Sequence, residues 1–84
     1  MLTVTLYGTP ACRRYQKMRE VVVAEAERLG IAIRVAEIGD VEQLSKINPL
    51  SLPRLYIAGD LVASQNPPKA QAIENVLKKT LTTQ

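Results

Sequence analysis

The fold is decided by one stretch of sequence, Tyr7-Gly8-Thr9-Pro10-Ala11-Cys12-Arg13-Arg14-Tyr15. The residues leading into it, 2–7, alternate between apolar and β-branched side chains and predict a strand. Gly8, Thr9 and Pro10 predict a turn that ends this strand. A helical pattern begins at Cys12, so the only cysteine of the chain is expected at the start of a helix.

This first helix is predicted from Cys12 to Leu29. Its apolar positions recur at spacings of three and four residues, which is typical of one buried face: Tyr15, Met18, Val22, Ala26 and Leu29. Gly30 is the expected C-terminal stop. The charged residues Arg19, Glu20, Glu27 and Arg28 are expected to face solvent.

The middle of the chain predicts a strand and a short helix. Residues 31–38 alternate in hydrophobicity and predict the second strand. Asp40 is suited to cap a helix, with Gln43 at the spacing of a capping box. The apolar face predicted for this helix consists of Val41, Leu44 and Ile47.

The last part of the chain predicts a hairpin and a helix. Residues 54–58 and 61–63 predict the third and fourth strands, joined by a tight turn at Gly59-Asp60. Pro68 is suited to the first turn of the last helix. The buried stripe predicted for that helix consists of Ala70, Ile73, Val76 or Leu77, and Leu81.

The predicted order is therefore β-α-β-α-β-β-α, in a single domain over residues 1–84. Because a helix connects the first two strands, we expect them to be parallel and joined by a right-handed crossover. The last two strands form an antiparallel hairpin. The sequence thus predicts an α/β fold, in which a four-stranded mixed sheet carries helices on both faces.

Composition excludes several kinds of chemistry. Of the 84 residues, 46% are hydrophobic, which is enough for one core. The chain has one cysteine and no histidine, so it cannot form a Ser-His or Cys-His pair, a structural zinc site or an internal disulfide. The net charge of +3 is spread along the chain, and three tyrosines are the only aromatic residues, so nucleic-acid binding is not favoured.

We expect neither a membrane protein nor a secreted one. No apolar run approaches the roughly 20 residues of a membrane span. The first residues lack the charged lead-in and the apolar region of a signal peptide. The expectation is a cytoplasmic monomer without a bound metal or cofactor.

Cys12 has two interpretations, a reactive thiol or an inert small hydrophobic residue. The unpaired amides and the dipole at a helix start favour the thiolate, and Arg13 and Arg14 add positive charge nearby. In the reactive interpretation, Cys12 attacks a partner disulfide. An external thiol must then resolve the mixed disulfide, since the chain has no second cysteine.

Two motifs and the element order together resemble the thioredoxin superfamily, and above all its small glutaredoxin-like proteins with a redox-active disulfide. The stretch 7–15 is similar to the family pattern Pro-x-Cys-x-x-Cys, and Ser51-Leu52-Pro53 stands where the family carries a cis-proline. The resemblance implies a thioredoxin-like fold with Cys12 as the catalytic thiol. It also implies a cis Leu52–Pro53 bond facing Cys12, with the Leu52 backbone free to pair with an extended substrate.

The sequence departs from this family at the places that complete its chemistry. Tyr15 stands where the family has its second cysteine, so a dithiol cycle cannot be completed within one chain. The stretch 63–66 lacks the Gly-Gly and acidic residue with which glutaredoxins usually hold glutathione. The lysine that precedes the motif in cluster-binding monothiol glutaredoxins is absent. The partner is therefore expected to be a protein thiol or disulfide, or glutathione bound without the usual clamp.

Five residues are assigned to substrate binding beside Cys12: Leu52, Pro53, Arg13, Arg54 and Tyr15. Pro53 is alternatively a plain strand-entry proline, and Arg54 a solvated strand-end charge rather than a ligand for an acidic group. Tyr15 is favoured as a core residue, although its hydroxyl is in reach of the Cys12 sulfur in the alternative interpretation. Three functions remain open: a monothiol exchange protein, a redox-inactive module that binds an extended peptide, and a dimer joined through Cys12 by a disulfide or a shared cluster.

Overall fold

The described part of the chain, residues 2–48 and 51–82 of a computed structural model, contains four strands and three helices. The strands are β1 (Leu2–Tyr7), β2 (Ile33–Ile38), β3 (Arg54–Ile57) and β4 (Asp60–Ser64). The helices are α1 (Arg13–Leu29), α2 (Val41–Leu44) and α3 (Ala70–Thr82). The order of elements along the chain is the predicted one, and β2 begins two residues later than the sequence pattern indicated.

The strands form one mixed sheet in the order β2-β1-β3-β4. β1 lies parallel to β2 and antiparallel to β3, and β3 is antiparallel to β4. Strand alternation places Val4, Leu6, Leu55 and Ile57 on one face, where all four are fully buried. The predicted fold class is confirmed.

Helix α1 buries the predicted stripe against this face. Tyr15, Met18, Val22 and Ala26 belong to the core, and Leu29 is partly buried against it. The helix ends as expected at Gly30, which has φ 69°, a left-handed conformation that glycine adopts without a steric cost. α3 packs on the same side and contributes Ile73 and Leu77.

The prediction for α3 is wrong at both ends of its stripe. Ala70 and Leu81 are exposed, and Val76 is only partly buried. Pro68 lies before the helix, because the first amides of α3 donate to the carbonyl oxygen of Lys69. The helix therefore starts later than the proline suggested, and its buried face is shorter.

The short helix α2 is capped as predicted but has no buried face. The Asp40 side chain accepts a hydrogen bond from the Glu42 amide at 3.1 Å. Val41 is 81% exposed, and Leu44 and Ile47 are only partly buried. A helix of four residues is too short to bury a stripe of its own.

The hairpin turn lies one residue earlier than predicted. Ile57 pairs with Asp60, so the two turn residues are Ala58 and Gly59, with φ of 52° and 87°. Two-residue hairpin turns of this kind take a positive φ at both positions, and glycine here occupies the second of them. β4 consequently begins at Asp60.

An ion-pair network that the sequence analysis did not predict joins α1 to α3. Glu25 is only 8% exposed, and both its carboxylate oxygens accept hydrogen bonds from Arg28. Arg28 also lies 3.0 Å from Glu74 of α3, which pairs with Lys78 at 2.8 Å. Lys78, and to a lesser degree Arg28, hold the pKa of Glu74 below its ordinary value.

Candidate active site

Cys12 is the N-cap residue of α1. Its backbone is extended, with φ −76° and ψ 127°, and its carbonyl oxygen accepts the first helical bond, from Gln16 at 3.0 Å. The sulfur makes no capping hydrogen bond, and the side chain is half-buried. The amides of the first turn have no partner within a helix, so the sulfur lies beside unpaired donors at the positive end of the helix dipole.

The turn before Cys12 is held by three hydrogen bonds. The Cys12 amide donates to the Thr9 carbonyl at 3.0 Å, and the Gln16 side-chain amide donates to the Pro10 carbonyl at 2.7 Å. The Gly8 amide donates to Ile38 of the parallel strand at 3.1 Å. These bonds tie the thiol-bearing turn to both α1 and β2, which fixes where the sulfur lies.

Gly8 allows three segments to meet beneath the thiol. A β-carbon added to Gly8 would lie 2.8 Å from Cδ2 of Tyr15 and 3.2 Å from Cβ of Pro53, and the backbone φ of +155° is rare for other residues. The end of β1, the first turn of α1 and the segment before β3 therefore pack closely only because this position has no side chain.

A pocket of about 240 Å³ opens above this contact. It is lined by Gly8, Thr9, Cys12, Leu52 and Pro53. The Leu52–Pro53 peptide bond is cis in the structure, and Pro53 is buried. Neither the amide nor the carbonyl group of Leu52 hydrogen-bonds to another described residue. The structure thus brings the two sequence motifs together around one thiol.

Tyr15 does not point at the sulfur. Its ring is 2% exposed, and its hydroxyl donates to Oε1 of Glu37 on β2 at 2.8 Å. The same carboxylate oxygen lies 3.1 Å from Nε of Arg19. Burial, followed by the bond to Glu37, raises the pKa of Tyr15. The core interpretation of Tyr15 agrees with this geometry, in which both ring and hydroxyl are engaged within the domain, and its assignment to substrate binding stays a prediction.

The arginines assigned to the site have different surroundings. Arg13 and Arg14 are exposed in the first turn of α1, which contains no acidic residue. Arg54 is half-buried, and its guanidinium donates to the Ser51 hydroxyl at 3.1 Å and to the Tyr56 hydroxyl at 3.3 Å. It is therefore not the freely solvated strand-end charge that one interpretation predicted.

The described residues contain no metal-type cluster, and a second pocket lies away from the thiol. Within residues 2–48 and 51–82, no three histidine, cysteine or acidic side chains cluster as a metal site would require. A larger pocket of about 710 Å³ lies between the β3–β4 hairpin and α3, and it shares no residue with the thiol pocket. No helix within the same ranges is long and apolar enough to cross a membrane.

Sequence reasoning missed two residues that position the site. Gln16 holds the Pro10 carbonyl, and its place four residues after Cys12 on a helix was the available signal. Glu37 holds Tyr15, but it is 22 residues away in the chain and carries no local signal. Its role follows from the pairing of β1 with β2, in which Glu37 lies opposite Leu6 on the core side.

Comparisons with known proteins agree with the fold. A profile of the thioredoxin domain family matches residues 2–78, and the chain belongs to that family. Among solved structures, the chain is similar to glutaredoxin 1 from Francisella tularensis complexed with cacodylate, with a TM-score of 0.50 and 19% identity. The match covers 98% of this chain and 99% of the glutaredoxin, and at that identity it shows the fold alone. No curated protein matches the sequence.

Proposed function

We propose that this thioredoxin-family protein carries out monothiol thiol–disulfide exchange through Cys12. The observation that carries the proposal is the position of the thiol, which is the N-cap of α1 inside a pocket shared with Leu52 and Pro53. Membership of the thioredoxin domain family supports redox chemistry of thiols at this site in general terms. The single cysteine limits that chemistry to one sulfur.

The exchange proceeds in two balanced steps. The Cys12 thiolate attacks one sulfur of a partner disulfide, forming a mixed disulfide and releasing the other sulfur as a thiolate, which takes a proton from water. A second, external thiolate then attacks the partner's sulfur in the mixed disulfide. This step returns Cys12 as thiolate and leaves the partner disulfide-bonded to the external thiol, so no resolving cysteine is needed within the chain.

The first turn of α1 places positive charge beside the Cys12 sulfur. The unpaired amides of the first turn and the positive end of the dipole of α1 stabilise an anion at this place. Arg13 and Arg14 add positive charge, and no acidic residue of the first turn opposes it. A cation at the positive end of a helix dipole is unfavourable, so each of these arginines costs the domain about 0.3–1 kcal/mol of stability. The domain carries this cost next to its reactive residue.

The proposed partner is an extended protein segment with a disulfide, with glutathione as the smaller alternative. Leu52 supports the first, because its amide and carbonyl have no described partner and could pair with an extended backbone. The proposed setting is the cytoplasm, where thiols stay reduced, and the proposed form is a monomer that needs no cofactor.

A redox-inactive peptide-binding module is the second candidate. The observation that favours it is the same Leu52 backbone, whose amide and carbonyl lack a partner among residues 2–48 and 51–82 and could pair with a peptide whether or not Cys12 reacts. In that case Cys12→Ser binds its partner unchanged. In the exchange proposal, Cys12→Ser loses the partner that wild type retains under non-reducing conditions.

The test of the leading proposal is the reactivity of Cys12 in the folded protein. The rate of alkylation by iodoacetamide at pH 7 is compared between the native and the urea-unfolded chain. We expect the native thiol to react roughly tenfold faster, since thiolate is the reacting form. Cys12→Ser is the blank for both measurements. A native rate equal to or below that of the unfolded chain would contradict the proposal.

A further inference from the structure

We propose that Arg54 and Ser64 form a clamp that positions the Leu52 backbone beside Cys12, and that they act as positioning residues rather than as substrate ligands. The clamp consists of Arg54 and Ser64 and their hydrogen bonds to Ser51. This inference rests on the proposed function and assigns to Arg54 a role different from the one its sequence position suggested.

The first half of the clamp reaches Ser51 from β3. Nε of Arg54 donates to the Ser51 hydroxyl at 3.1 Å, and a terminal nitrogen of the same guanidinium donates to the Tyr56 hydroxyl at 3.3 Å. Tyr56 is in turn held edge-on against Tyr7, with ring centroids 5.5 Å apart. The guanidinium is therefore fixed between the sheet and the segment that leads to Leu52.

The second half reaches the same segment from β4. The Ser64 hydroxyl donates to the Ser51 carbonyl at 2.7 Å, and the Gln65 amide donates to the Pro53 carbonyl at 2.9 Å. Arg54 and Ser64 lie opposite each other in the β3–β4 ladder. Two neighbouring strands thus hold Ser51 and Pro53, the residues on either side of Leu52.

The physical role of such a clamp is to order Leu52 before a partner arrives. Leu52 is outside any strand or helix, and its own amide and carbonyl lack a described partner. Fixing a free segment costs conformational entropy, and a segment fixed in advance does not incur that cost on binding. The clamp should therefore speed reactions with extended partners, which pair with Leu52, and have little effect on partners too small to reach it.

The experiment measures second-order rates of mixed-disulfide formation for Arg54→Gln, Ser64→Ala and wild type. One partner is 2,2′-dithiodipyridine, which reports on the thiol alone, and the other is an extended uncharged peptide carrying a disulfide. We expect both variants to react about fivefold more slowly with the peptide, while their rates with dithiodipyridine stay within about twofold of wild type. Arg34→Gln, which removes an exposed cation from β2, is the matched control and should change neither rate.

Three outcomes of these rates would overturn the clamp. If only Arg54→Gln slows the peptide reaction, the guanidinium contacts the partner directly. If both variants slow dithiodipyridine as much as the peptide, they disturb the thiol and not Leu52. If wild type reacts with the peptide no faster than with 2-hydroxyethyl disulfide, a small disulfide with a similar alkyl leaving group, Leu52 is not used for recognition.

A second measurement separates the clamp from the chemistry of Cys12. Hydrogen exchange of the Gln65 amide reports on its bond to Pro53. We expect faster exchange of this amide in both variants, with the amide of Leu55 in the sheet unchanged. Unchanged Gln65 exchange in the variants would overturn the clamp whatever Cys12 does. An unreactive Cys12 in wild type, together with faster Gln65 exchange in the variants, would contradict the proposed function but not the clamp. The clamp would then serve peptide binding alone, which the affinity of the variants for the peptide measures.

Discussion

Tyr15 shows how one residue can close a catalytic option while serving the fold. It occupies the position at which the family motif has a second cysteine, and its ring packs below Gly8. Its hydroxyl donates a hydrogen bond to Glu37, which also pairs with Arg19. The side chain therefore joins α1 to β2, and the adjacent sulfur of Cys12 is left without a built-in partner.

Tyr15→Phe tests this role at the level of a single hydrogen bond. The ring is kept and the bond to a charged acceptor is lost, so we expect the free energy of unfolding at pH 7 to fall by about 1–2 kcal/mol. Urea denaturation followed by circular dichroism measures it. No loss of stability would mean that the hydroxyl contributes nothing net to folding.

Wild type and Tyr15→Phe should also differ in how their stability depends on pH. Folding raises the pKa of Tyr15, so its contribution to stability is complete below its ordinary value of about 10 and is lost as the pH rises above it. We expect wild type to lose stability between pH 9 and pH 11 (roughly the range around that value) more steeply than Tyr15→Phe. Tyr7 and Tyr56 are present in both proteins and cannot cause a difference between them. If stability falls equally with pH in both proteins, the pH dependence does not come from Tyr15.

Local sequence motifs predicted some residues of the candidate site, but they did not predict the contacts that these residues make. Cys12, Leu52 and Pro53 were predicted because each belongs to a short motif next to a strand or helix end. The partner of Tyr15 was not, because a bond across 22 residues depends on strand pairing. The bonds that Arg54 and Ser64 make to Ser51 were not predicted either, because they depend on how β3 and β4 pair.

Among the elements, α1 and α3 depend on each other through charge as well as apolar contact. Arg28 bridges Glu25 on its own helix to Glu74 on α3. Glu25 is nearly buried, so its carboxylate has little access to water that could replace Arg28. The network therefore contributes to how the two helices are held on the sheet.

Arg28→Gln should lower the melting temperature more than Lys17→Gln, the matched control. Lys17 pairs with Glu20 at 3.7 Å, and both of those side chains are well exposed. Adding Glu25→Gln to Arg28→Gln should restore part of the loss, because it removes the unpaired carboxylate. Equal melting temperatures for the two single variants would show that Glu25 is solvated in solution.

Element types were predictable from periodicity, whereas their edges and exposure were not. The stripe of α1 was found because seventeen helical residues repeat the pattern several times. The four residues of α2 repeat it once, and Val41 proved to be exposed. The hairpin was placed one residue late because Ala58, with a positive φ, gave no sequence signal. Glu25 was not expected in the core, since burial of a carboxylate depends on Arg28 beside it.

For the whole molecule, the question is whether the domain tolerates a second thiol. Tyr15→Cys removes a buried ring and the bond to Glu37, which should cost roughly 3 kcal/mol in the reduced protein. Small domains are stable by about 5–15 kcal/mol, so the variant keeps its fold with a reduced margin. We expect it to form an internal disulfide with Cys12 on oxidation and to gain insulin reductase activity with dithiothreitol.

Tyr15→Ser is the matched control, because it leaves a similar cavity without a sulfur. It should lose comparable stability and gain no reductase activity. Mass spectrometry after alkylation counts the free thiols of oxidised Tyr15→Cys. Two alkylated cysteines in that protein would show that the first turn of α1 does not bring positions 12 and 15 within disulfide reach.

The contact between Tyr15 and Gly8 limits which substitutions at position 15 the domain accepts. Tyrosine and cysteine codons differ by one nucleotide, so a dithiol motif is a single mutation away. The protein that this mutation creates has an empty space under Gly8, and its Glu37 carboxylate keeps Arg19 but has lost the Tyr15 hydroxyl. A two-cysteine protein made by this mutation therefore folds with a smaller margin of stability until other changes in the core fill the space, so packing opposes the second thiol more than genetic distance does.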